Sequence, residues 1–155
     1  MTEAPEARAA DATARLTLPR GEEPFYRVDL ICSGVDHSGP SYRVRLDLVG
    51  RDAAGGVVAR EAVGFPVFGH GGCFGDEGHC EVRGPRHAFD RRPVHQLLPA
   101  TKVVIATEEI RRLVTAGAVS LEVEATPVVR QSPYAGREDL DAIHPFDEIE
   151  LRVYR

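Results

Sequence analysis

At 155 residues and 43% hydrophobic content, the chain has enough apolar material for one ordinary core and too little length for two. Its formal net charge of −5 comes from interspersed acidic and basic residues, so there is no coherent basic face and nucleic acid is not an expected partner. No apolar run is long enough to span a bilayer, and the opening M-T-E-A-P-E-A-R lacks the features of a secretory signal. The default location is therefore the cytoplasm, although a chain without a signal can still be exported bound to a partner that carries one.

Residues 1–22 are rich in Ala, Glu, Arg and Pro, with little apolar periodicity before Leu16 and Leu18. That composition predicts a mobile N-terminal tail ahead of a single domain spanning 23–155. From Phe25 onward, Tyr26, Val28, Leu30 and Cys32 alternate with Arg27, Asp29 and Ile31, the pattern of a half-buried strand. Cys32 falls on its apolar side, where it reads as a small buried hydrophobe. After a turn over Asp36 to Pro40, which holds His37, the residues Tyr42, Val44, Leu46 and Leu48 oppose Arg43, Arg45 and Asp47 in the clearest period-two run of the chain. The A-A-G-G turn at 53–56 then closes a hairpin onto Val57 to Val63, and Phe65 to Phe68 leads into a glycine-rich loop.

Beyond a basic, proline-containing connector, Lys102 to Ala106 is a short β-branched strand. Thr107 is placed to cap a helix of about two turns, which Gly117 ends. Val119 to Ala125 alternates, Pro127 to Arg130 continues it at a sheet edge, and Gln131 to Asp147 is a long surface loop. Within that loop His144 lies among acidic residues, a solvated face. Ile149, Leu151 and Val153 alternate at the C-terminus. The expected fold is all-β, an antiparallel β-sandwich or barrel of six to eight strands with one short helix over about 107–115.

The chemistry concentrates in Gly69 to Cys80, G-H-G-G-C-F-G-D-E-G-H-C, which carries two of the three cysteines and two of the six histidines. Its glycines permit tight backbone folding. His70, Cys73, His79 and Cys80 form a donor set of two imidazoles and two thiolates, which suits tetrahedral zinc or cuprous copper. His87 and His95, in the connector, are candidates for a second shell or for a histidine-only copper site. The competing reading is a Cys73–Cys80 disulfide closing an eight-residue loop, worth roughly 2.5 kcal/mol in the chain-entropy model. Free thiols are the third. A cytosol would keep the pair reduced, and an oxidising compartment would favour the bridge. A Cys/His nucleophile pair has no accompanying family signature, and no phosphate-binding loop or nucleophile elbow is present.

The runs S-Y-R-V-R-L-D-L, F-P-V-F-G-H-G-G-C-F-G-D-E-G-H-C and F-D-R-R-P-V-H-Q-L-L-P-A-T-K-V-V-I resemble the β-sandwich region that follows the catalytic bundle of tyrosinase-like type 3 copper proteins. The helical bundle that bears the catalytic copper ligands in that family has no counterpart here. The resemblance implies a metal-binding accessory protein, more a non-enzyme than an enzyme, that delivers copper to a type 3 copper oxidase or shields its site. One alternative is a structural or scaffolding sandwich whose cysteines form a disulfide or hold zinc. The other is a small β-barrel enzyme of secondary metabolism that binds an apolar substrate among Phe65, Phe68, Phe74 and Phe89. Exposed sandwich edges and the odd Cys32 permit a homodimer.

Overall fold

The computed structural model describes residues 6–8, 12–20, 24–35, 37, 41–69, 100–130 and 145–155. In chain order these form β1 (Glu6–Arg8), β2 (Ala12–Thr17), β3 (Arg27–Val35), β4 (Tyr42–Arg51), β5 (Val57–Val67), β6 (Ala100–Ile105), α1 (Thr107–Thr115), β7 (Ser120–Arg130) and β8 (Glu148–Tyr154). All strand pairs are antiparallel. One sheet runs β5-β4-β7, with β1 and β2 both on the far side of β7; the other runs β6-β3-β8. The expected antiparallel sandwich with one short helix is the architecture observed.

Alternation decides which face of each strand meets the core. In β4, Tyr42, Val44, Leu46 and Leu48 are buried while Arg43 and Arg45 are exposed. Leu121, Val123 and Ala125 of β7 and Phe65 and Val67 of β5 complete this inner face. Opposite it stand Val28, Leu30, Cys32 and Val35 of β3, with Val104 of β6 and Ile149 of β8, in the same apolar cluster. Burying each such Leu, Val or Phe contributes about 1.5–3 kcal/mol, which holds the two sheets together. The period breaks at the end of β4, where Val49 and Gly50 are both buried and the ladder to β5 slips between Gly50 and Arg51. A methyl group on Gly50 would meet Ala118 Cβ at 2.9 Å and Leu113 Cδ2 at 3.0 Å, so this position carries a glycine because the helix end packs on it. The hairpin beyond is held by Asp52, whose Oδ1 accepts from the amides of Ala54 (3.0 Å) and Gly56 (2.8 Å).

Helix α1 buries Ile110 and Leu113 and packs against β5 and β3. Gly117, at φ 94°, ends it as expected. The Gly117 amide donates to Val114 O and the Ala118 amide to Leu113 O, each at 3.0 Å, the two bonds of a Schellman motif. The start differs from expectation. Ala106 occupies the cap position, and no side chain caps the helix. The Thr107 hydroxyl instead accepts the buried Val28 amide at 3.0 Å, which ties the helix to β3 rather than to its own first turn.

Three further expectations are corrected. Within the segment read as a tail, β2 pairs with β7 from Ala12 opposite Ala125 to Thr17 opposite Ser120, and β1 pairs with it near Arg130. The alternation of Ala12, Ala14, Leu16 and Leu18 was concealed by small side chains, yet backbone pairing needs none, and β7 offers the edge. Pro127 is not at a sheet edge either, because β7 has neighbours on both sides and Pro127 stands opposite Val44 of β4. On the other side of β7, pairing with β1 ends at Val128 and pairing with β2 begins at Ala125, so Pro127 falls between the two paired stretches, where no ladder N–H is required of it by either. Phe146, assigned to the surface loop, is also buried.

Candidate functional site

The strand ends define two poles. At one pole Val35, ending β3, stands opposite Ala100, starting β6, and Ser33 stands opposite Glu148, starting β8. On the facing sheet, Tyr42 starts β4 opposite Val67, which ends β5, and Arg43 lies opposite Val128 near the end of β7. The three connections 36–41, 68–99 and 131–147 therefore begin and end on one rim. By sequence these connections contain all six histidines, at positions 37, 70, 79, 87, 95 and 144, together with Cys73 and Cys80. The turns at the opposite pole, among them 52–56 and 116–119, contain neither residue type.

The described part of this rim is firmly built. The Asp147 amide donates to Ser33 O at 2.8 Å, and the Asp147 carboxylate lies over Gly34, whose φ of 74° and lack of a Cβ let the two approach. The Gly69 amide donates to Ser41 Oγ at 3.0 Å, anchoring the chain one residue before His70. Phe68 beside it is 74% exposed. His37 is half-buried on the same rim. The predicted ligands His70, Cys73, His79 and Cys80, and the companions His87 and His95, lie outside the described residues. Among the described residues, no group of three or more His, Cys, Asp and Glu side chains is placed to hold a metal ion.

Cys32, the remaining cysteine, is fully buried, and desolvation pushes its thiol up to about 12. A neutral thiol in the core is neither a nucleophile nor a metal ligand, and burial also keeps it from bridging two chains. The aromatic cluster invoked for an apolar substrate is divided: Phe65 is a core residue, Phe68 faces solvent, and Phe74 and Phe89 lie outside the described residues. An open depression of about 490 Å³ does exist, but at the opposite pole, lined by Pro24, Phe25, Tyr26 and Arg155.

Sequence reading missed one polar feature. Asp29 points by alternation to the outer face of the three-stranded sheet, yet it is only 1% exposed. Arg27 Nε donates to its Oδ1 at 2.7 Å, and the Arg27 guanidinium in turn lies 5.5 Å from the centre of the Tyr154 ring. The hydrogen bond from Arg27 holds the Asp29 carboxyl below its ordinary range against the opposing effect of burial, with smaller contributions from Tyr154 and Arg152. A carboxylate so paired stays ionised near neutral pH and ties β3 to β8, which makes it a structural clasp rather than an acid or base. The register Arg27–Tyr154 and Asp29–Arg152 creates this cluster, and no local spacing signals it.

No family model, no curated protein and no solved structure matches the chain. Among the described residues, no helix is long and apolar enough to cross a membrane.

Proposed function

We propose that the protein is a metal-binding accessory module that holds copper through His70, Cys73, His79 and Cys80 in service of a copper oxidase. The observation that carries the metal reading is the convergence of strand ends: three connections start and finish on one rim, and between them they hold every histidine and both loop cysteines. Within these connections the donors crowd further, with His70, Cys73, His79 and Cys80 falling inside one stretch of eleven residues. The thiolate and imidazole donors favour cuprous copper, with zinc as the other ion of matching chemistry. Cysteine and histidine bind as thiolate and neutral imidazole, so loading releases protons and weakens as the pH falls. The Gly69 amide, bonded to Ser41 Oγ, anchors the start of the glycine-rich segment, and glycines give such a segment the backbone freedom that ligand exchange in a delivery role requires. The oxidase partner rests on the sequence resemblance alone.

The test is elemental analysis of protein purified without a histidine tag, combined with thiol counts before and after chelation. Stoichiometric copper, absent from a Cys73→Ser/Cys80→Ser variant with an unchanged far-ultraviolet circular dichroism spectrum, supports the proposal. Zinc in place of copper would keep the site and remove the copper-delivery role. A metal-free protein with two thiols that appear only after reduction would replace both with a Cys73–Cys80 disulfide. Co-purification of a type 3 copper oxidase with the intact chain tests the partner separately.

A further inference from the structure

We draw no further inference here: the strongest candidate, the exposed apolar strip of Val103 and Ile105 with Ile31 beside it on the outer face of the three-stranded sheet, carries nothing because nothing in the structure shows what covers it.

Discussion

Replacing Thr107 by Val tests the corner where strand, helix and core meet. Val28 commits both main-chain polar groups there: its amide donates to Thr107 Oγ1 at 3.0 Å, and its carbonyl accepts from the Ala106 amide at 2.9 Å. Val28 is fully buried and Thr107 is 9% exposed, so water cannot replace a lost acceptor. Valine matches threonine in shape and in helix propensity but removes the oxygen. The Val28 N–H is then orphaned, at a cost of about 1–3 kcal/mol. Had Thr107 been a helix cap, the loss would fall on the first turn of α1; here it falls on β3. Urea unfolding should show a lower midpoint with an unchanged slope. Amide exchange should accelerate most at Val28, and Thr107→Ser should restore most of the stability. A valine variant within about 0.5 kcal/mol of the parent, the scatter typical of substitutions that touch no such feature, with Val28 exchange unchanged, would refute the reasoning.

The N-terminal arm gives a second test: deleting residues 1–17 removes β1 and β2 and the half-buried Leu16, and should lower stability by about 1–3 kcal/mol, whereas a true tail would leave thermal unfolding unchanged. The Asp29 clasp has a definite pH sign. Its carboxyl is depressed below an ordinary value of 3.8, so its contribution is present above that pH and is lost as the pH falls through the lower folded value. Asp29→Asn should therefore flatten the fall in melting temperature at acid pH, and an identical acid limb in parent and variant would argue against the clasp. Cys32, in a Cys73→Ser/Cys80→Ser background, should resist alkylation until the protein unfolds; labelling of the folded protein at the rate of a free thiol would contradict its burial.

The β4 run and the β4–β5 hairpin were legible because they obey local rules. Side chains on a strand alternate faces whatever the neighbours are, and Asp52 closes its turn with amides two and four residues away. The C-terminal end of α1 was legible for the same reason, since Gly117 is needed there by backbone geometry alone. The helix start was not: Thr107 has the chemistry of a cap, but its hydroxyl serves a partner 79 residues distant in sequence. The donors of the candidate site could be named from their residue types, whereas the meeting on one rim of the strand ends that flank their connections depends on how six strands pair.

Amphipathic period, glycine at turns and the identity of the thiol and imidazole donors are properties of short stretches, and the sequence alone determined them for this protein. Only the tertiary structure decided that the N-terminal arm joins a sheet, that Pro127 sits inside one, and that Asp29 is buried on an outward face. Each of these depends on what another strand supplies: an open edge on β7, the break between the β1 and β2 pairings that brackets Pro127, and the aromatic ring of Tyr154 across from Arg27. Local periodicity reports which face of a strand is apolar, but the neighbour that covers or extends that strand is chosen by contacts between residues far apart in the chain.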